Sequence, residues 1–500
     1  MTDLNPSRRS FLATSGAAGL RAKTAKRPNL LFFVADDHAG YVLGADGNRL
    51  AQTPHLDRLA AEGARFAQHY CNSPVCTPSR QSFLTGQLPH LAGVTRLPTR
   101  LAEDKPTLAR QLRLAGYRTA VVGKMHFNRP SAPGLHGFDA PLTEQDVTRA
   151  WNAQVKPRPI PEGIRAKPPW RPFKDHARVW LNSEKLPVAR YYDDMRGTFI
   201  ARQAARVLEE NKDQSFALWV SFQEPHAPFD FPIDDRDRCD PAKFAPPPVG
   251  PEDAWQIPLI FRDLQPEEKA GIAAAYYTSV AFLDRNIGLV LEKLRALGLE
   301  ENTLVVYMGD NGYCLGHHGR FEKHCGYDAA LRIPLLVRLP GRVRRGVVND
   351  LTEAVDVPFT ILDVLGAEPL PVAHGQSLRP YLEGRRPSRP RDYIFSEYLE
   401  NEEAYLRTAR WKFIYSTGRR ARGDGYATDH PTPGRYVRLF DLRHDPGEFT
   451  DVSAKHPDVV TELRELMLKR FRDTHPDAPS EPPRLRPEEA LDWCLRPRDG

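Results

Sequence analysis

The stretch Cys76-Thr77-Pro78-Ser79-Arg80 places a thiol, a helix start and a guanidinium within one turn of chain. Thr77 is a favourable N-cap residue, and Pro78 suits the first helical position, where a missing N–H costs nothing. A helix that begins here directs free N–H groups and the positive end of its dipole toward Cys76. The fork of donors on Arg80 suits an oxyanion. The pattern therefore indicates a pocket for a tetrahedral anion around residue 76.

Two oxygen-rich pairs follow short apolar runs that are typical of buried strands. Asp36-Asp37 ends one run, and Asp310-Asn311 ends another. Taken singly, each pair is also typical of a turn or a helix cap. Together, three carboxylates and an amide suit a hard divalent cation such as Ca²⁺.

Basic and imidazole side chains lie near other predicted strand ends. Lys124 and His126 are two residues apart on a segment that we predict to be extended, so their side chains should point the same way. An ammonium and an imidazole in one pocket suit anion binding and proton transfer. His226 lies between two prolines, and Lys323 follows the Asp310 pair.

Strand-like and helix-like segments alternate along the chain, which predicts an α/β fold with a large mixed, mostly parallel sheet and helices on both faces. The carboxyl ends of such strands collect ligands, so the polar residues above should converge. The predicted strands cover 29–35, 118–122, 216–222, 303–308 and 334–338. The predicted helices cover 55–62, 108–115, 194–210, 267–297 and 358–365.

We divide the chain into a basic leader (1–27), a catalytic domain (28–382) and a small C-terminal α+β subdomain (383–500) with an antiparallel sheet and a helix. We predict that the proline-rich segments at 151–190 and 225–258 form ordered loops outside the core, or lids.

Charge and composition exclude several classes of protein. The net charge is +6, but the leader carries +5 of it, so the near-neutral body gives no sign of a nucleic-acid partner. No apolar run approaches the roughly 18 residues of a transmembrane segment. Six cysteines in 500 residues do not make a disulfide scaffold.

The segment 72–80, with Leu84-Thr85-Gly86 after it, resembles the formylglycine-dependent sulfatases of the alkaline phosphatase-like superfamily. The likeness extends over roughly 28–455, through the segments 53–60, 123–127, 309–312 and 439–442. It implies the alkaline phosphatase-like fold and hydrolysis of a sulfate ester, either a small molecule or an oligosaccharide.

The resemblance also implies cofactors and residue roles. A formylglycine-generating or sulfatase-maturing enzyme would convert Cys76 to 3-oxoalanine (formylglycine). One Ca²⁺ per chain would be bound by residue 76 together with Asp36, Asp37, Asp310 and Asn311. In this scheme Arg80, Lys124 and Lys323 neutralise the sulfuryl oxygens and His226 protonates the departing alcohol. One hydroxyl of hydrated residue 76 attacks sulfur, and His126 then removes the proton of the second hydroxyl.

Two other functions stay open. A phosphonate monoester or phosphodiester hydrolase of the same superfamily shares the cysteine motif, and a non-catalytic sulfoglycan-binding protein could keep the fold. The motif at residues 7–12 (Ser-Arg-Arg-Ser-Phe-Leu) resembles a twin-arginine signal, which predicts export to the periplasm or medium; a cytoplasmic location is the alternative.

Overall fold

The computed structural model describes residues 27–169, 175–372, 374–419, 428 and 435–497. Its main sheet has eight strands. In spatial order they are β5 (Ala140–Thr143), β4 (Arg118–Gly123), β6 (Phe216–Pro225), β1 (Asn29–Asp36), β7 (Thr303–Gly309), β8 (Leu335–Arg338), β2 (Ala64–Phe66) and β9 (Gly346–Val348). Two smaller sheets hold β3 (His69–Tyr70) with β10 (Thr352–Glu353), and β11 (Tyr393–Tyr398), β12 (Glu403–Thr408), β13 (Trp411–Ser416) and β14 (Tyr436–Asp441).

Helices cover both faces of the main sheet. The α-helices are α1 (Pro54–Glu62), α2 (Cys76–Thr85), α3 (Pro89–Ala92), α4 (Leu108–Leu114), α5 (Glu144–Gln154), α6 (Ala177–Trp180), α7 (Arg196–Glu210), α8 (Pro266–Ala296), α9 (Asp328–Leu331), α10 (Asp356–Leu365), α11 (Arg379–Leu382), α12 (Pro457–Thr474) and α13 (Pro487–Cys494). One core joins one face of β1 to α2, α4 and α10, and another joins the opposite face to α1, α7 and α8. The predicted fold class, a mixed and mostly parallel sheet between helices with a small C-terminal sheet, is confirmed.

Strand β1 lies at the centre of the sheet and positions the polar residues that follow it. All eight of its residues are buried, as expected for a parallel strand covered on both faces. It pairs in parallel with β6 and β7, with Ala35 opposite Gly309 and Asp36 opposite Pro225. The carboxyl ends of these three strands therefore meet at one edge of the sheet.

The C-terminal sheet is antiparallel and packs beneath α12 and α13. The sequence predicts strands at 393–397, 411–415 and 439–442 and a helix around 459–470. These correspond to β11, β13, β14 and α12, whereas β12 was not predicted. The Asn72 side chain donates to the Phe395 carbonyl at 2.9 Å, which connects this sheet to the chain just before α2. The division at residue 382 stays a prediction.

An ion cluster joins the C-terminal sheet to α9. The Lys412 ammonium is fully buried and lies 2.7 Å from the Asp328 carboxylate and 3.4 Å from that of Glu448. Burial alone would raise the pKa of Asp328, but Lys412 and Arg407 lower it well below its usual range. The resulting stability is therefore present above about pH 4, the ordinary Asp pKa, and is lost as the pH falls below it.

We expect Lys412→Met to destabilise the protein by about 3–5 kcal/mol, because it removes the buried cation that Glu448 pairs with and leaves Asp328 with Arg407 alone. Adding Asp328→Asn should recover part of this loss, and it should flatten the decline in stability below pH 4. Urea unfolding at several pH values measures both effects, with the exposed Lys455→Met as the control. An effect of Lys412→Met no larger than that of the control would contradict this account.

The structure corrects two local expectations. Helix α2 begins at Cys76, with Val75 at the N-cap, and the Thr77 hydroxyl donates to the Leu97 carbonyl at 2.8 Å instead of capping the helix. The 124–127 segment is not extended, since β4 ends at Gly123 and His126 has a positive φ of 58°. The predicted leader, 1–27, lies outside the described residues except for Arg27. No helix in the described ranges has the length and apolar character to cross a membrane.

Candidate active site

Cys76 is the first residue of α2 and is almost fully buried at the carboxyl edge of the sheet. Its thiol donates to Oδ1 of Asp36 at 3.1 Å, and the Lys323 ammonium donates to its Sγ at 2.9 Å. Burial, followed by the Asp36 carboxylate, raises the pKa of the thiol well above its usual range. Residue 76 is thus a protonated, solvent-shielded thiol, and a poor nucleophile as it stands.

Asp36 and Asp37 lie at the end of β1 and are each bound by a lysine. Lys124 donates to Asp36, and Lys323 donates to Asp37. Burial alone would raise the pKa of Asp36, but Lys124 and other nearby cations hold it well below its usual range. Asp37 adopts a positive φ of 66°, which turns the chain sharply where the strand ends.

Asp310 and Asn311, at the end of β7, lie against this pair. Asp310 Oδ1 accepts the Asp37 backbone N–H at 2.9 Å, and the Asn311 side-chain amide donates to Asp37 at 2.7 Å. Burial raises the pKa of Asp310 to about 7. The Arg80 guanidinium is fully buried and donates to Asp310 Oδ2 at 2.8 Å and to the Ser221 hydroxyl at 2.8 Å. Arg80 therefore anchors the acidic cluster.

The cluster suits a hard cation by the chemistry of its donors. Asp36, Asp37, Cys76 and Asp310 each offer a ligand atom, and these atoms lie within 4.8 Å of one another. Oδ1 of Asn311 is buried and accepts no hydrogen bond from the described residues. Three carboxylates and a free amide oxygen are hard ligands of the kind that bind Ca²⁺ and related ions. The residues therefore fit a divalent cation.

His226 follows β6 and lies at the mouth of the cluster. Its Nδ1 lies 2.6 Å from the Ala227 carbonyl, and its Nε2 lies 3.9 Å from the Asp37 carboxylate. The side chain is 29% exposed, more than those of the acids and lysines around it. Burial and the charge of Lys323 lower the pKa of His226. An imidazole in this position can contact a bound molecule that enters from solvent.

His126 is held by a residue that our sequence analysis missed. The Glu144 carboxylate, at the start of α5, accepts the backbone N–H groups of Met125 at 3.1 Å and His126 at 3.2 Å. The His126 Nδ1 is buried and has no hydrogen-bond partner in the part of the chain that the structure describes. Burial, with Lys124 and Arg80, lowers the pKa of His126 to about 2. Its imidazole is therefore neutral at physiological pH.

We expect Glu144→Ala to lower kcat by about 10- to 100-fold with little change in KM, because the turn that carries His126 in its positive-φ conformation loses its acceptor. Glu144→Gln keeps one acceptor oxygen and should give an intermediate kcat. Asp146→Ala, on the same first turn of α5, is the matched control. The measurement is steady-state kinetics on an aryl sulfate. If Glu144→Ala had the same kcat as Asp146→Ala, Glu144 would not position His126.

The loop after Asn311 contains two histidines, His317 and His318, which the sequence alone offers as possible contacts for a substrate. His318 is buried, bonds to Asp253 at 3.0 Å and stacks on the Tyr327 ring at a centroid distance of 3.5 Å. It is therefore a structural residue. His317 packs edge-on against Tyr41, with ring centroids 4.9 Å apart.

Comparisons with known proteins show which family the chain resembles. The family model described as "Sulfatase" matches residues 28–367, and the model described as "N-sulphoglucosamine sulphohydrolase, C-terminal" matches residues 316–474. The chain is 27% identical to the choline-sulfatase of Rhizobium meliloti (strain 1021), an alignment that covers 94% of this chain and 91% of that protein. It is 26% identical to the N-acetylglucosamine-6-O-sulfatase of Bacteroides thetaiotaomicron, over 93% of this chain and 90% of that protein.

Solved structures of the same architecture include a phosphonate monoester hydrolase from Silicibacter pomeroyi. It superimposes with a TM-score of 0.74 and 26% identity, covering 91% of this chain and 97% of that one. Because the sulfatase model matches well over half of the chain, the protein belongs to the sulfatase family of the alkaline phosphatase-like superfamily and is a sulfuric ester hydrolase.

Proposed function

We propose that the enzyme hydrolyses the sulfate ester of a carbohydrate or another small organic alcohol, with residue 76 as formylglycine and one Ca²⁺ per chain. The ion would be bound by Asp36, Asp37, Asp310, Asn311 and residue 76. When both groups are present, the hydrated aldehyde supplies an oxygen nucleophile and Ca²⁺ supplies Lewis-acid polarisation.

One observation carries this proposal: the Cys76 side chain contacts Asp36 and Lys323 at the centre of the carboxylate cluster. A chemical group on this side chain therefore lies between carboxylates that can bind a metal ion and ammonium groups that can bind an anion. Conversion of the thiol removes the difficulty that its raised pKa poses for nucleophilic attack.

The surrounding residues have separate roles in the proposed reaction. Lys124, Lys323 and Arg80 supply positive charge for the non-bridging sulfuryl oxygens. His226, the most exposed of these groups, donates a proton to the departing alcohol oxygen. His126, on the turn whose N–H groups Glu144 accepts, would take the proton of the second hydroxyl of hydrated residue 76; the carbon–oxygen bond to sulfate would then break and the aldehyde would be restored.

We propose the alcohol part of the substrate from the similarity of this chain to named sulfatases. Relatives named for choline sulfate, aryl sulfate and 6-O-sulfated N-acetylglucosamine are all similar to this chain over about nine-tenths of its length. We favour a sulfated carbohydrate. Desulfation rates on choline sulfate, simple aryl sulfates and defined sulfated oligosaccharides test this choice, and a kcat/KM highest for choline sulfate would contradict it.

Phosphonate monoester or phosphodiester hydrolysis is the second candidate, since two phosphonate monoester hydrolases superimpose with TM-scores of 0.74 and 0.75. Parallel assays on an aryl sulfate and an aryl phosphonate distinguish the two functions. We expect the larger kcat/KM on the sulfate, and the reverse order would favour the second candidate. No turnover of either ester by protein in which residue 76 is converted would favour the third, a non-catalytic sulfoglycan-binding protein.

We further propose that a formylglycine-generating or sulfatase-maturing enzyme is a partner, and that export follows modification. The twin-arginine route carries folded proteins, which suits an enzyme whose buried residue 76 must be converted before the fold closes. Fractionation of cells that express the full chain tests this order: the exported form should carry converted residue 76, and activity confined to the cytoplasm would contradict export.

A further inference from the structure

Two arginine pairs from separate parts of the sequence converge at the outer edge of β9. Arg344 and Arg345 directly precede the strand, and Arg385 and Arg386 follow α11. Together with Val347 of the strand, they line a cavity of about 440 Å³. Residues 384–386 therefore form part of the wall of a basic site.

A second cavity, of about 560 Å³, continues along the same strand. It shares Arg345, Gly346 and Val347 with the first and adds Arg65. We call the two cavities together the β9 trough. Each lies within the range of about 300–1,000 Å³ typical of small-molecule sites, and the two share a wall.

Part of the positive charge of the trough is not neutralised by any residue that the structure describes. Arg386 is held by a bidentate bond to Asp350, at 2.8 and 2.9 Å, and Arg385 pairs with Glu383. Arg344 and Arg345 are exposed and form no ion pair with any residue that the structure describes. Their guanidinium forks are therefore available to bind oxyanions such as sulfate or carboxylate in a bidentate manner.

The backbone of β9 argues against an added peptide strand as the occupant. The Gly346 N–H donates to Gly63 at 3.0 Å and the Val348 carbonyl accepts from Ala67 at 2.9 Å, so both residues face β2. Within this three-residue strand, only Val347 has its N–H and carbonyl directed outward. One residue offers too few main-chain bonds to bind a peptide by strand addition, whereas two free arginines suit a polyanion.

The trough is separate from the cysteine cluster. Strands β8 and β2 lie between β9 and β7, which ends at Asp310. Three strand spacings correspond to roughly 14 Å across the sheet. A ligand in the trough therefore binds apart from residue 76.

We propose that the β9 trough is a second, non-catalytic binding site for a sulfated oligosaccharide. The choice of ligand rests on the proposed action on sulfated carbohydrates. In this arrangement the trough holds one part of a polyanionic chain through Arg344 and Arg345, while catalysis takes place at the cysteine cluster.

The test is calorimetric titration of a heparin-derived octasaccharide into the full chain carrying Cys76→Ala, so that no turnover occurs. The trough variant adds Arg344→Ala and Arg345→Ala to this background. The control instead adds Arg206→Ala and Arg443→Ala, two exposed arginines outside the trough with the same loss of charge. We expect binding to weaken about tenfold in the trough variant and to change less than about twofold in the control.

Three outcomes would overturn the proposal. Equal affinities of the trough and control variants would show that the arginines do not bind the ligand. Trough-dependent binding of polyglutamate as tight as that of the octasaccharide would assign the site to acidic peptides. A loss of aryl sulfate turnover when the arginine pair is replaced in the Cys76-intact enzyme would place the arginines in support of the active site. If the parent enzyme had no sulfatase activity, the proposed function would be wrong. The titration would still show whether the trough binds the octasaccharide.

Discussion

Replacing Cys76 by alanine is expected to reduce sulfate ester hydrolysis by at least about 10⁴-fold, because the proposed nucleophile is built on this side chain. The change removes one small buried group from the start of α2, and the carboxylates and lysines around it stay in place. The fold should therefore persist, with a thermal unfolding midpoint within a few degrees of the parent. Turnover of an aryl sulfate and circular dichroism measure the two effects.

Cys71 provides the matched control for this experiment. It is also fully buried and lies five positions before Cys76, but its thiol faces the Ala330 carbonyl at 3.9 Å. Cys71→Ala should keep most of the parent activity. Substantial turnover by Cys76→Ala, or an equal loss in both variants, would contradict the role assigned to residue 76.

Asp37→Asn is expected to lower kcat about a thousandfold, the order of effect seen when one charge-stabilising group is removed from an active site. The backbone at this position has a φ of 66°, a conformation that asparagine adopts readily. The substitution therefore removes a charge with little change in the chain path. It deprives the cation site of one carboxylate and Lys323 of its partner.

Metal content gives this prediction a readout that is independent of turnover. After dialysis against a low-micromolar calcium buffer, the parent should retain one Ca²⁺ per chain and Asp37→Asn much less. The control is Asp284→Asn, a buried carboxylate outside the cluster that accepts the backbone N–H groups of His55 and Leu56. Equal calcium content in the parent and in Asp37→Asn would contradict the assignment of Asp37 as a ligand.

Much of this architecture could be predicted from local sequence because the central strands are strongly patterned. The buried run of β1 ends in two aspartates, and a strand covered on both faces has to be apolar throughout. Parallel pairing then brings the end of β1 beside the end of β7, so Asp36 and Asp310 meet although they are far apart in sequence. For this reason, residue types and strand ends were enough to group the acids with one another. The place of Cys76 among them was implied by the resemblance to the sulfatases.

Features that depend on long-range contacts could not be predicted in this way. Helix α2 begins before Thr77 because the Thr77 hydroxyl bonds to Leu97 and not to its own helix. His126 turns into a positive-φ conformation, and Glu144, 18 residues later, accepts its N–H. The three-residue strand β9 exists because β2 offers it a parallel partner. The local sequence pattern around each of these elements does not indicate its distant partner.

The most direct test of the central claim is the chemical state of residue 76 in active enzyme. Trypsin should release residues 66–80 as one peptide, bounded by Arg65 and Arg80 and containing both Cys71 and Cys76. After alkylation, mass spectrometry should show a thiol derivative at Cys71 and an aldehyde or its hydrate at residue 76, in proportion to the specific activity. A fully active preparation in which Cys76 is an intact, alkylated thiol would contradict the account.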